Sequence, residues 1–213
     1  MTILLITLLF GLIYLAYTLW FELGRTPRQF RYDNEIDTPT QTGDFSLFNM
    51  IREMLWPTSK SRRPAVALPS IQTDLSSLTQ RAPSIVWFGH SSYLLTLDGF
   101  TILVDPVMSG HSAPLPFLIK SFAGADAYGV ADLPEIDVLL ITHDHYDHLD
   151  YETVVKLKSK VKRVVTATGV GEHLKFWGYD ASRITELGWH ESTTIGGHSF
   201  TAAPARHFSG RGL

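Results

Sequence analysis

The run His143-Asp144-His145-Tyr146-Asp147-His148 puts four metal-competent side chains, His143, His145, Asp147 and His148, within six residues. Imidazoles with a carboxylate suit zinc, iron, nickel or manganese, and no soft sulfur ligand accompanies them. His143 and His145 lie two apart on an extended segment, so both rings can project to one side. Asp147 and His148 follow a turn and can reach a second position nearby. Two-metal sites, with ions about 3.5–4 Å apart, need ligands delivered in this way from one short rigid segment. A single loop histidine is ordinarily a solvated turn; three with an aspartate at the mouth of a strand read as a ligand set.

The flanks support that reading. Ile136 to Thr142 is almost continuously apolar, the pattern of a strand buried on both faces. Asp150 can cap a helix running from Tyr151 to about Lys160. The run is thus held between a buried strand and a helix, a rigid support for a site. Upstream, Ile85–Gly89 and Tyr93–Leu97 read as strands. Asp98-Gly99 is a two-residue hairpin turn, and Phe100–Val104 is the returning strand, ending at Asp105-Pro106. Val107 to Glu135 is irregular, and long stretches of that kind are often lids or binding loops. Downstream come a strand at Arg163–Ala167, a helix at Gly169–Trp177 closed by Gly178, and strands at Arg183–Leu187, Ser192–Ile195 and Ser199–Pro204. Gly196-Gly197 supplies the last turn. Hairpins giving way to alternating strands and helices make a mixed, layered α/β domain over residues 84–213.

The 213 residues suffice for one sizeable domain, and 45% hydrophobic with 18% charged residues describes a folded chain with an apolar extra. A formal net charge of -3 and the absence of a basic groove argue against a nucleic-acid partner. With zero cysteines, thiol catalysis, disulfides and cysteine-type zinc sites are excluded. The apolar extra is N-terminal. Ile3 to Phe21 carries no charge, long enough at helical rise for a core of about 30 Å. Residues 1–24 hold no Lys or Arg, against a cleaved signal peptide, so a single-pass transmembrane anchor is expected. Arg25, Arg28 and Arg31 then place the catalytic domain on the cytoplasmic side. Residues 25–83 read as a proline-broken connecting region. Inside it, Asp44 can cap a short amphipathic helix with Leu47, Phe48, Ile51, Met54 and Leu55, packed on the domain in preference to lying on a membrane.

The six-residue run resembles the HxHxDH signature of the metallo-β-lactamase superfamily. Trp87-Phe88-Gly89-His90-Ser91-Ser92, Val104-Asp105-Pro106-Val107, Leu133-Pro134-Glu135-Ile136-Asp137 and Leu149-Asp150-Tyr151 extend the likeness. They resemble the branch containing N-acylphosphatidylethanolamine-hydrolysing phospholipase D and related bacterial lactonase-like proteins. Pro204-Ala205-Arg206-His207 with Ser209-Gly210-Arg211 resembles the segment carrying that branch's next metal-binding histidine. The resemblance implies an αββα sandwich, of which this chain holds the N-terminal half, and two zinc ions, with other divalent metals as substitutes. By position, His143, His145 and His207 would bind the first ion, and Asp147 and His148 the second, with Asp147 the catalytic carboxylate. The family's bridging aspartate and last histidine lie further on than Leu213, six residues past His207, so a truncated chain with an incomplete second site is the expectation.

Two more residues bear on the site. Asp105, at a strand end, suits the carboxylate that receives a ligand histidine's other N–H, against plain turn capping. His90, also at a strand end, suits a place lining the site. His111, His173, His190 and His198 have no partner spacing and read as surface or structural. The resemblance implies hydrolysis by a metal-bound hydroxide on a membrane-lipid phosphodiester. A lactonase or soluble phosphodiesterase is the alternative, as is a non-catalytic, membrane-anchored metal binder. No Gly-x-Ser-x-Gly elbow offers a serine nucleophile. Oligomeric state is not legible.

Overall fold

The computed structural model describes residues 2–23, 52, 63–78, 83–114, 116–117, 119–205, 207 and 211. The helix expected after Asp44 lies outside these, apart from Arg52.

Alternating side chains build the first three strands. Ser84–Gly89 (β1), Ser92–Leu97 (β2) and Phe100–Val104 (β3) form an antiparallel meander, with β2 strictly alternating buried and half-buried positions. The β2–β3 turn has φ of 49° at Asp98 and 83° at Gly99, the paired left-handed geometry of a tight hairpin. Then the sheet turns parallel. Ile136–Ile141 (β4), Val161–Ala167 (β5) and Ile184–Leu187 (β6) add one after another, so strand order follows chain order from β1 to β6. Tyr151–Leu157 (α3) and Gly171–Phe176 (α4) are the crossovers; Leu75–Leu78 (α2) and Thr2–Leu23 (α1) precede the sheet. Ser192–Ile195 (β7) and His198–Thr201 (β8) form a separate hairpin.

The sheet is covered on both faces. Val154 and Leu157 of α3 and Leu174 of α4 pack with Leu94, Leu103, Leu139 and Ile141. On the opposite face, Ile102, Val104, Val138 and Val165 pack with Phe200 and Ile195 of the β7–β8 hairpin. Each wholly buried Leu or Val side chain contributes roughly 1.5–3 kcal/mol. Helices, a mixed sheet and the start of a second sheet make an α/β arrangement consistent with the expected metallo-β-lactamase fold.

Several boundaries differ from expectation. The α3 helix stops at Leu157, not about Lys160: the Lys160 N–H bonds the Leu157 carbonyl three residues back, closing the end in a tight turn. Strand β8 stops at Thr201, before Pro204, which has no N–H for a ladder. The irregular stretch is locally structured: His111 pairs with Lys120, and Val130–Asp132 is a single 3₁₀ turn. The folded unit also reaches upstream of residue 84. Leu75 is buried in the helix-side core, Leu68 N–H donates to Ala123, and Tyr128 Oη receives the Thr73 N–H.

Among the described residues no helix is long and apolar enough to cross a membrane, so the structure does not supply the spanning anchor expected at 1–24.

Candidate metal centre

Strand direction assembles the site. Strands β1, β3 and β4 run the same way, since β2 is antiparallel to both β1 and β3, and β3 is parallel to β4. Their C-terminal ends therefore share one edge, bringing together His90 after β1, Asp105 after β3 and the 143–148 run after β4. In that run the N–H groups of His148 and Leu149 both donate to the His145 carbonyl, at 3.0 and 2.8 Å. The resulting turn folds His148 back beside His143, ring centroids 3.9 Å apart.

Two groups of donors result. One nitrogen each from His143, His145 and His207 lie within 4.8 Å of one another, and so do single donor atoms of His90, Asp147 and His148. His143 Nε2 faces His207 Nε2 at 3.0 Å. His90 Nε2 lies 3.1 Å from Asp147 Oδ2 and 3.3 Å from His148 Nε2.

Buried Asp105 sets which nitrogens face outward. One of its oxygens receives the Thr142 N–H at 2.8 Å; the other receives the Thr142 hydroxyl at 2.6 Å and lies 2.8 Å from His148 Nδ1. An ionised carboxylate only accepts, so His148 carries its proton on Nδ1 and presents a lone pair on Nε2. The one Thr142 hydroxyl proton goes to Asp105, so its oxygen accepts from His143 Nδ1 at 3.0 Å. That leaves His143 Nε2 as a lone pair directed at His207. One buried carboxylate thereby fixes the tautomer of a ligand in each group.

Charge state agrees. Burial, then the neighbouring rings of His148, His207 and His145, push the His143 pKa down to about 4, against an upward pull from Asp105. The His207 pKa is lowered too, first by burial and then by His145 and His148. Both rings are thus neutral at ordinary pH, the form that ligates a cation. Zinc–nitrogen bonds of about 2.0–2.1 Å at tetrahedral angles would set donors about 3.3 Å apart. The facing nitrogens of His143 and His207, 3.0 Å apart, stand close to that spacing.

Of the remaining expected residues, Asp105 takes the carboxylate role given above. His173 is structural: it is buried, with Nε2 3.8 Å from Asp144 Oδ2 beneath the run. His198 stacks on Phe100 at 4.6 Å, His190 donates its N–H to Ala202, and His111 pairs with Lys120. Two functional residues escape pattern reading. Thr142 shows only as the end of an apolar strand. Arg211 shows only as part of a family-like segment, yet it is buried. Its Nε donates to the Asp144 carbonyl at 3.0 Å, its guanidinium also donates to the Leu149 carbonyl, and it lies 4.2 Å over the Tyr146 ring. It brackets residues 145–148 from behind.

Comparison with known proteins agrees with this site. Residues 101–213 match a family model described as a beta-lactamase superfamily domain. An uncharacterized protein of Mycobacterium tuberculosis is 36% identical over 176 residues, covering 79% of this chain and 47% of that protein. The N-acyl-phosphatidylethanolamine-hydrolyzing phospholipase D 1 of Caenorhabditis elegans is 34% identical over 143 residues, 60% of this chain and 38% of that one. A protein of Anaeromyxobacter named as a metal-dependent hydrolase is 31% identical over 130 residues, 59% of this chain and 43% of that one. The chain spans less than half the length of each of these relatives.

Proposed function

The chain belongs to the beta-lactamase superfamily, and from that premise we propose that it is a zinc-dependent hydrolase acting on a phosphodiester of a membrane lipid. The observation that carries the hydrolase reading is the convergence of two ligand groups at one sheet edge. His143, His145 and His207 would hold one ion, and Asp147 and His148 a second. When bound, such ions supply Lewis-acid polarisation and activation of water near neutral pH.

The chain's own residues do the rest. Asp105 holds His148 directly and His143 through Thr142, so both rings keep their lone pairs on the open side. Asp147 brings the negative charge of the second group and stands partly open to solvent, where it can take up a proton from the attacking water. The side chain of Asp150 accepts the N–H groups of Met108 and Ser109, tying the segment after Asp105 to the start of α3. Arg211 keeps the turn rigid from beneath.

Two observations support a lipid substrate. The C. elegans relative is named for hydrolysis of N-acyl-phosphatidylethanolamine. The other is exposed apolar surface: Leu5, Ile6, Leu8, Leu9, Phe10, Leu12 and Ile13 form a broad exposed apolar face along α1. Close by, Phe117, Ile119 and Phe122 are exposed on the segment that leaves the site, and the Tyr14 ring lies 6.4 Å from Phe117. A broad exposed apolar face of this kind suits a lipid surface better than water. Attachment to a lipid surface by this face of α1 is part of the same proposal.

The purified protein, supplied with zinc, is expected to release phosphatidic acid from N-acylphosphatidylethanolamine in detergent micelles. Chelation should abolish turnover and added zinc restore it. Turnover on soluble lactones with none on the lipid would remove the substrate assignment and leave the metal site standing. Separately, the protein should co-sediment with phospholipid vesicles, and a variant lacking residues 1–24 should not; equal sedimentation of the two would refute attachment by α1.

A further inference from the structure

The second group of ligands has a member that the family-like motif does not contain. His90 sits in the β1–β2 turn, far from the 143–148 run in sequence, yet its ring reaches the same point. The geometry points to His90 as a direct metal ligand, completing with Asp147 and His148 a second cation position from the chain's own residues. The inference rests on the metal-dependent reading above and deepens it.

Three observations carry it. First, the spacing of the donor atoms is that of a coordination polyhedron. Bonds of about 2.0–2.1 Å at tetrahedral angles set neighbouring donors about 3.3 Å apart. His90 Nε2 is 3.1 Å from Asp147 Oδ2 and 3.3 Å from His148 Nε2, and the third edge, His148 Nε2 to Asp147 Oδ2, is 4.0 Å. A hydrogen bond from His90 to Asp147 would account for the first edge alone. It gives no reason for a second ring nitrogen at 3.3 Å turned to the same point.

Second, the His148 ring is held in place. Its Nδ1 lies 2.8 Å from the buried Asp105 carboxylate, which turns Nε2 toward His90. His90 and His148 meet edge to face, with ring centroids 5.1 Å apart and planes at 73°, so neither ring stacks on the other for support.

Third, the backbone is held in an uncommon conformation to place the ring there. His90 has φ of +46°, the left-handed region that non-glycine residues seldom occupy. Gly89, at φ +112°, makes the turn that precedes it, where the β1–β2 register shifts. Trp87 Nε1 donates to the His90 carbonyl at 2.9 Å and locks the arrangement. A conformation of this kind, kept at a site edge, signals that the position of the side chain matters. The group remains open to solvent at His90 and Asp147, which leaves a coordination position free for water or substrate, as catalytic sites require.

The test uses the purified protein, zinc and cobalt(II), and no substrate, so it stands or falls separately from the lipid assignment. Apo protein is titrated with each metal, bound equivalents are measured by elemental analysis, and cobalt d–d absorption reports the ligand set. The variants are His90→Asn, which tolerates left-handed backbone, and His90→Gly, which relaxes it. Unchanged thermal unfolding of both metal-free variants checks that the turn survives. Wild type is expected to take two equivalents. Both variants should keep the first ion and lose affinity for the second by more than the about 10–100-fold that removal of a mere supporting hydrogen bond costs. The cobalt spectrum of the second equivalent should also change. A loss within that supporting range, with an unchanged cobalt spectrum, overturns the assignment and leaves His90 as a hydrogen-bond partner of Asp147. A wild-type protein that binds one equivalent only overturns it as well.

Discussion

His143→Ala is expected to empty the first metal position. His143 is the centre of its group: its ring lies 4.6 Å from that of His145, 4.4 Å from that of His207 and 3.9 Å from that of His148. Complete four-ligand zinc sites bind with about 10–16 kcal/mol, so one strong ligand's share is on the order of 4 kcal/mol. That corresponds to roughly a thousandfold weaker binding. Elemental analysis after dialysis against buffered zinc measures it directly. The fold should persist, because the Ile136–Ile141 strand packs through Val138, Leu139 and Ile141, not through His143. An unchanged zinc content would show that the first group is not a metal site.

Asp105→Asn is expected to weaken both positions at once. Asparagine matches the shape of aspartate and accepts the φ of +40° found at residue 105, so the backbone has no reason to move. What changes is the hydrogen bonding. If the amide oxygen keeps the Thr142 N–H, the NH₂ group points at His148 Nδ1 and the Thr142 hydroxyl. Donor then meets donor. His148 can answer only by moving its proton to Nε2, where it points into the metal position. Thr142 must also turn its hydroxyl, and a hydroxyl that no longer donates to residue 105 no longer obliges His143 to keep its proton on Nδ1. Losing such supports typically costs about 10–100-fold in metal affinity, and here two rings are affected. Zinc titration should show both equivalents weakened. Full retention of both would mean that the tautomers are set by something other than Asp105.

Legibility in the sequence followed physical locality. The hairpin around Asp98-Gly99 reads correctly because two adjacent residues dictate a left-handed turn and alternating neighbours dictate the strands. The Asp150 cap reads correctly because its side chain accepts the N–H of Glu152, two residues away. His143, His145, Asp147 and His148 form a pattern by themselves, and the structure brings donor atoms of His143 and His145 into one group and those of Asp147 and His148 into another. What escaped depends on distant pairing. Leu75 looks like part of a linker until the sheet supplies the core that buries it. Thr142 and Arg211 act through backbone carbonyls and one buried carboxylate, partners that leave no trace in composition or spacing. His90 became a ligand candidate only because β1 and β4 end on the same edge.

Strand order that follows chain order has a consequence for how the protein is made. Each strand from β2 to β6 joins the edge left by its predecessor, so no strand must be threaded between two that have already paired. The two hairpin contacts close short loops, which favours rapid formation, while the parallel contacts from β3 onward close longer ones. A chain emerging from the ribosome can therefore zip its sheet in the order of synthesis. On that route His90, Asp147 and His148 stand together as soon as β4 docks and its turn forms. His207 leaves the exit tunnel later than these three, so the group of His143, His145 and His207 gathers after that of His90, Asp147 and His148.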